Sequence, residues 1–412
     1  MIRRSLHDWL VMTVVSAAGG VIFLLPFLQE VYYKPLTFAL GIDNTEVGGL
    51  MSAFGVTAML SYLPGGWLAD RISPRGLLTL SLISTGMLGF YFASFPSYLV
   101  CLAIHAYWGV SVTFLFWGAM IRVTRDWAPH DEQGRAFGIL ESGRGLAEVL
   151  GSMGVLAIFS VLGSGDFALS SVITTISGLT VALGVAAWFV IDERAGTRRP
   201  VDERAPIGLD DVLQVLRMPV VWLIAIVVLS AYCAYWGTFR FTSYSSDIFG
   251  LSVTIAAVIS VAKMWCKPAA ALVAGFASDR LGIARSVAVL FLVLMASFAT
   301  FAFLPGRAAL IPLMLANVAL ASLAVFALRG IYFALLEEGG IPMAVTGTAG
   351  GIVSVIGFTP DIFMPLLGGV LIDRYPGASG YRAFFIVIAV ICAVGLTSAL
   401  AIGRLSKARK RS

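Results

Sequence analysis

Residues Gly65 to Arg75 read GGWLADRISPR, an aspartate and two arginines set between long apolar runs. The stretch is nearly repeated by GFASDRLGIAR at Gly275 to Arg285, with Asp279 lying 209 residues after Asp70. Charge is scarce everywhere else. The chain has 412 residues, 59% hydrophobic and only 12% charged, and its mean hydropathy is +0.92. That composition lies far outside the range of soluble domains and marks a membrane protein.

A helix needs about 20 apolar residues to cross roughly 30 Å of hydrocarbon. Breaking the chain at charge, proline and glycine clusters gives twelve such spans: 7–33, 45–69, 77–95, 98–123, 135–162, 168–191, 218–245, 251–278, 286–304, 308–336, 344–372 and 381–403. Period-2 barrel strands do not explain runs of this length. The first run extends from Trp9 past Phe27 with no small-residue cleavage site after it, so it reads as a retained span. Cys101, Cys233, Cys266 and Cys392 all fall inside apolar runs, which leaves no disulfide framework or CxxC metal pattern.

With both termini cytoplasmic, nineteen of the 28 Lys and Arg residues fall in inside segments and four (Lys34, Arg307, Arg374, Arg382) in outside ones. The positive-inside rule therefore sets the orientation. The polar segment Asp192 to Arg217 divides the spans six and six. The expected organisation is a bundle at 1–191, a cytoplasmic linker at 192–217, a second bundle at 218–403 and a basic tail at 404–412. Within the linker, Leu209, Val212, Leu213 and Leu216 share one face of a short surface helix. Both DR stretches end the second span of their half, so an internal duplication is expected. It brings Glu148 and Asp361 to similar depths.

This layout resembles the major facilitator superfamily, whose members carry a G-x-L-a-D-R-x-G-R-R loop between spans 2 and 3 and an echo between spans 8 and 9. Gly66, Leu68, Asp70, Arg71 and Arg75 match the first copy, with Ser73-Pro74 in place of Gly-Arg. Gly275, Asp279, Arg280, Gly282 and Arg285 match the second, and EQGRAFGILESGRG (Glu132 to Gly145) resembles the loop 4 to 5 sequence. A third look-alike, GGVLIDRY at Gly368 to Tyr375, ends an outward-facing span without trailing basic residues and reads as a plain helix terminus. The resemblance implies an all-α membrane fold of two pseudo-symmetric six-helix bundles. It also implies gating by Asp70, Arg71, Arg75, Asp279, Arg280 and Arg285, with Gly66 and Gly275 allowing close helix packing.

Ionisable residues within spans are costly, and so they are candidates for function. In the first half these are Glu30, His105 and the set Glu141, Arg144 and Glu148, spaced to share a helix face and neutralise one another. In the second half they are Arg240, Lys263, Lys267, Arg329 and Asp361. Lys263 lies about twelve residues into its span, roughly 18 Å along the axis. The surplus cations have two readings: they bind an anionic substrate together with Trp236, or Lys267 or Arg329 pairs with Asp361 or snorkels to the headgroups. Glu30, Glu141, Glu148 and Asp361 are the proton-coupling candidates, with Glu30 favoured. His105, beside Tyr107 and Trp108, reads as a packed histidine. The aromatic cluster of Tyr232, Tyr235, Trp236 and Trp265 either sandwiches a substrate or packs helices.

Three histidines on separate elements, with no HExxH, GxSxG or P-loop, argue against an enzyme or an ATP-driven pump. By resemblance, span 1 lacks the mid-span arginine of organophosphate antiporters, and span 5 lacks the Gly-Pro kink of drug:proton antiporters. The expected function is secondary transport of a small polar or anionic organic solute by alternating access and proton symport. The alternatives are a proton-coupled antiporter exporting drugs or metabolites, or a transporter-like receptor without flux. An ion gradient replaces any cofactor. The expected partners are solute and lipid rather than nucleic acid, with a monomer in a bacterial cytoplasmic (inner) membrane.

Overall fold

The computed structural model describes residues 5–127, 133–192, 209–341 and 346–409, and every regular element among them is helical. Contacts divide the chain into two compact units: Met1–Asp202 with Val253–Val261, and Glu203–Ser252 with Ala262–Ser412.

In the first unit, span 1 begins at a capping box in which Ser5 and Asp8 satisfy each other's backbone N–H. It runs through Leu6–Val21, loosens into turns over residues 22–28 and resumes as Gln29–Leu40. Pro26 lies in the loosened stretch and has no N–H to donate, which starves the helix there of a bond. Span 1 thus extends seven residues beyond the end its hydropathy suggests. An Asp43–Glu46 capping box opens span 2, Asn44–Arg71, and Pro74 at the first helical position opens span 3, Pro74–Phe92.

Span 4 is Tyr98–Val110, a π-helical stretch Ser111–Trp117, and Gly118–Trp127. The stretch opens beside hydroxyls that supply it with hydrogen bonds. Ser81 Oγ donates to the Ser111 carbonyl at 2.8 Å, and Thr85 Oγ1 lies 2.9 Å from Ser111 Oγ. Spans 5 and 6, Gln133–Val161 and Asp166–Val190, are unbroken.

The glycine that permits close approach is Gly65 rather than Gly66. A Cβ on Gly65 would lie 2.8 Å from the Phe114 Cα in the π-helical stretch, whereas one on Gly66 meets nothing within 4 Å. Gly65→Val is expected to destabilise the protein by about 1–3 kcal/mol, the cost of overpacking. Gly66→Ala should leave the melting temperature unchanged in a detergent thermal-shift measurement.

After the linker, four spans are interrupted. Span 7 is Pro219–Thr238 and Phe241–Phe249; span 8 is Val253–Met264 and Cys266–Leu281. Span 10 is Ile311–Ile331, followed by a 3-10 turn and Leu335–Glu338, and span 11 is Thr346–Gly357 and Pro360–Arg374. Proline accounts for two of the breaks, because Pro268 cannot donate to the Met264 carbonyl or Pro360 to that of Ile356. Spans 9 and 12, Ile283–Phe303 and Ala378–Arg409, are continuous. They pack through an aromatic core in which Phe298 and Phe385 stack at 6.0 Å, and Phe241 of span 7 meets Phe301 at a tilt at 4.7 Å.

Eight helices among the described residues are long and apolar enough to cross a membrane unaided; Leu6–Val21 and Val253–Met264 are shorter and cross only with the segments beyond their breaks. The linker helix forms at Leu209–Leu216. The side chains of Leu209 and Val212 lie outside the described residues. Leu213 and Leu216 are exposed, and Val215, off the expected face, is the buried one.

Candidate functional site

A break in a spanning helix leaves carbonyls and N–H groups without partners in a medium that offers no water. In the second unit, side chains from neighbouring spans take up these groups. Span 7 ends its inner half at Thr238, and Lys263 Nζ on span 8 donates to that carbonyl at 2.9 Å. Lys263 is only 2% exposed and lies between the Phe239 and Phe241 rings. Arg240, 4% exposed at the start of the outer half, donates from Nη2 to the Pro365 carbonyl at 3.2 Å. A Cβ on Gly368 would lie 3.1 Å from Arg240 Nε, so span 11 has glycine where the guanidinium passes.

These contacts pin the break of span 7 to spans 8 and 11 and give Lys263 and Arg240 a positioning role. Lys263→Met is expected to lower the melting temperature, because the Thr238 carbonyl loses its donor at about 1–3 kcal/mol. Solute-induced stabilisation should survive in this variant. Lys267 is half-buried in the first turn beyond Trp265.

Arg329 is placed differently. Its guanidinium lies 3.9 Å from the Tyr235 ring centroid and 5.3 Å from that of Tyr232, and its Nη1 is buried with no hydrogen-bond partner. Tyr332, one turn further along span 10, bonds the same guanidinium. Beside them Asp361 occupies the first turn of Pro360–Arg374, where the helix N-terminus favours negative charge. Trp236 Nε1 donates to Asp361 Oδ1 at 2.8 Å, and Tyr232 also hydrogen-bonds this carboxylate. Arg329 and Asp361 make no direct ion pair, and Tyr232 is their shared neighbour. A guanidinium between aromatic faces with an unused donor is suited to a carboxylate. Asp361, which shares Tyr232 with that guanidinium, is a carboxylate that can hold a proton.

In the first unit, Arg144 Nη1 donates to Glu141 Oε1 at 2.5 Å and Nε to the Gly19 carbonyl at 3.3 Å, next to Phe23 and Trp117. Glu148 is half-buried one turn beyond, and Glu30 is buried in the first turn of Gln29–Leu40. His105 is a packed residue: its Nδ1 lies 2.8 Å from the Cys101 carbonyl, and its ring meets Phe92 and Trp108 edge-on.

Of the gating candidates, Arg71 lies over the Trp67 ring and Arg75 over that of Trp188, each at 4.0 Å, while Arg280 and Arg285 are exposed. The side chains of Asp70, Asp279 and Gly275's surroundings lie outside the described residues. Arg122, which the motif does not single out, donates from span 4 to the Ala69 and Ile72 carbonyls at the end of span 2. Glu338, at the end of span 10, accepts from the Ala284 N–H that opens span 9, at 2.8 Å. Tyr332 was likewise not legible as a site residue, although its spacing of three from Arg329 puts it on the same helix face.

The Major Facilitator Superfamily model matches residues 9–358. The inner membrane protein YqcE of Escherichia coli is 27% identical over 394 residues, 94% of this chain and 92% of that one. The inner membrane protein YihN, also of Escherichia coli, is 27% identical over 408 residues, 98% of this chain and 97% of that one. Shorter stretches match the probable galactarate/D-glucarate transporter GudP of Bacillus subtilis, 31% identical over 118 residues, 27% of this chain and 26% of that one. The probable nitrate/nitrite antiporter NarK1 of Thermus thermophilus is 30% identical over 273 residues, 61% of this chain and 57% of that one. Among solved structures, a bacterial homolog to the human lysosomal transporter Spinster superposes with a TM-score of 0.80 at 14% identity, over 98% of both chains. With its twelve helical spans, the chain is a multi-pass protein of the inner membrane and belongs to the major facilitator superfamily of secondary transporters.

Proposed function

We propose that the protein carries a small organic anion by alternating access in symport with protons, with Arg329 receiving the anion and Asp361 the proton. The reading rests on the buried, unused Nη1 of Arg329 within an aromatic box that also contains Asp361. Charge counting gives the coupling. Empty, the Arg329 and Asp361 pair is neutral. Anion alone makes the site −1, proton alone makes it +1, and the two together return it to zero. A net charge exposed to hydrocarbon costs several kcal/mol, so the empty and doubly loaded states cross most readily, which is one-to-one symport of a monoanion. The names of GudP, a probable galactarate/D-glucarate transporter, and NarK1, a probable nitrate/nitrite antiporter, favour an anionic solute.

The test is a thermal-shift screen of purified protein against organic acids, amino acids, sugars, nucleosides and cationic drugs, followed by uptake into vesicles of both orientations. Stabilisation by organic acids and proton-driven uptake into right-side-out vesicles are expected. Stabilisation by cationic or neutral compounds alone would sink the anion reading. Proton-driven uptake into inside-out vesicles alone would replace symport by export through antiport.

A further inference from the structure

The Glu141–Arg144 pair in the first unit is a second guanidinium site. We infer that it is a carboxylate-binding site held closed by the protein's own Glu141, which an organic anion displaces. This inference rests on the anionic-solute reading but involves residues that reading does not use.

The arginine is fixed and its acid is not. Arg144 has a side chain only 15% exposed, whereas that of Glu141 is 61% exposed within a membrane span. Three elements converge on the guanidinium. Span 1 supplies the Gly19 carbonyl to Nε at 3.3 Å, and a Cβ on Gly19 would lie 2.9 Å from the Arg144 Cγ, Cδ and Nε, so the arginine stem lies in a groove that only glycine leaves open. Phe23, in the loosened stretch of span 1, is 5.7 Å from the guanidinium carbon, and Trp117, the last residue of the π-helical stretch of span 4, is 5.1 Å away. Phe23 and Trp117 pack edge to face at 6.5 Å, which holds the aromatic wall in place.

The two donors used are Nε, spent on backbone, and Nη1, spent on Glu141; Nη2 has no acceptor among the described residues. The arrangement parallels the second unit, where Arg329 also stands against aromatic rings of a neighbouring span with an acid nearby. There the guanidinium has an unused donor. Here a carboxylate from the same helix, three residues away, occupies it. A carboxylate that binds in this manner identifies the ligand chemistry: a carboxylate or a similarly shaped oxyanion replaces it bond for bond. Glu141, exposed and held by a single contact, needs only a rotamer change to leave.

An internal competitor has a specific signature. If Glu141 occupies the guanidinium about nine-tenths of the time, removing it tightens anion binding about 10-fold, by the competent fraction recovered. The experiment compares wild type, Glu141→Gln and Arg144→Lys, titrating gluconate, succinate and inorganic sulfate and reading the half-saturating concentration for thermal stabilisation. Glu141→Gln is expected to lower it several-fold, and Arg144→Lys, which lacks the planar fork, to raise it at least as much. A wild type that responds while Glu141→Gln binds no more tightly, or more weakly, would overturn the inference and leave the proposed function standing. Tighter binding in Glu141→Gln that persists with Arg329→Ala supports the inference and shows that the site acts independently of Arg329. No response in wild type or Glu141→Gln overturns both.

Discussion

Arg329→Ala is expected to lower uptake into liposomes at least ~100-fold, equivalent to ~3 kcal/mol, the scale of losing one partner of a buried charged hydrogen bond. Nη1 is buried without a partner, a state shared among the described guanidinium groups only with Arg75 Nε, and Tyr235 and Tyr232 fix the plane of the Arg329 group at 3.9 and 5.3 Å. Arg329→Lys should fail nearly as badly, because an ammonium neither stacks on the tyrosine faces nor presents two parallel donors. Uptake retained within about threefold in Arg329→Ala, too small a loss for a group that holds the anion, would move the site elsewhere. By contrast, Lys263→Met should cost stability and leave the solute response in place, since its ammonium is committed to the Thr238 carbonyl.

Asp361→Asn should separate exchange from accumulation. The amide oxygen can still accept from Trp236 Nε1, which donates to Asp361 Oδ1 at 2.8 Å, so the local structure is preserved. What is lost is the exchangeable proton. With asparagine the empty site carries the +1 of Arg329 and the anion-loaded site is neutral, so only the loaded carrier crosses readily. Counterflow of labelled solute is expected to persist while accumulation driven by a proton gradient falls to background. In the wild type, acidifying the loading side should tighten anion binding, because a protonated Asp361 leaves Arg329 uncompensated. In Asp361→Asn that dependence should disappear. Normal proton-driven accumulation in this variant would return the proton site to Glu30, Glu141 or Glu148.

Much of the architecture was legible from sequence because hydropathy and charge are properties of contiguous residues. Twelve spans, their sidedness and the repeated DR ends all follow from runs and their punctuation. The interruptions were less visible. Pro26, Pro268 and Pro360 mark three of them, yet the breaks in span 7 after Thr238 and in span 10 after Ile331 have no proline, and the π-helical stretch of span 4 has no sequence signal beyond its hydroxyl neighbours on span 3. Similarly, Gly65 and Gly66 are indistinguishable in the sequence. Only the π-helical backbone of span 4 lying against Gly65 decides between them.

The candidate site shows the same division more sharply. Sequence alone determined that this is a membrane transporter with four cations and one acid in the spans of its second half. It could not rank those cations, because the donors a buried cation has left for a solute depend on which backbone carbonyls the packing brings to it. Lys263 is claimed by a carbonyl 25 residues away and Arg240 by one 125 residues away, and Asp361 meets Trp236 across the same separation of 125. Those claims are set by where helices break and how spans 7, 8, 10 and 11 pack, which no local pattern encodes. Tertiary structure therefore decided that two cations hold the scaffold together and that Arg329 has a donor to spare.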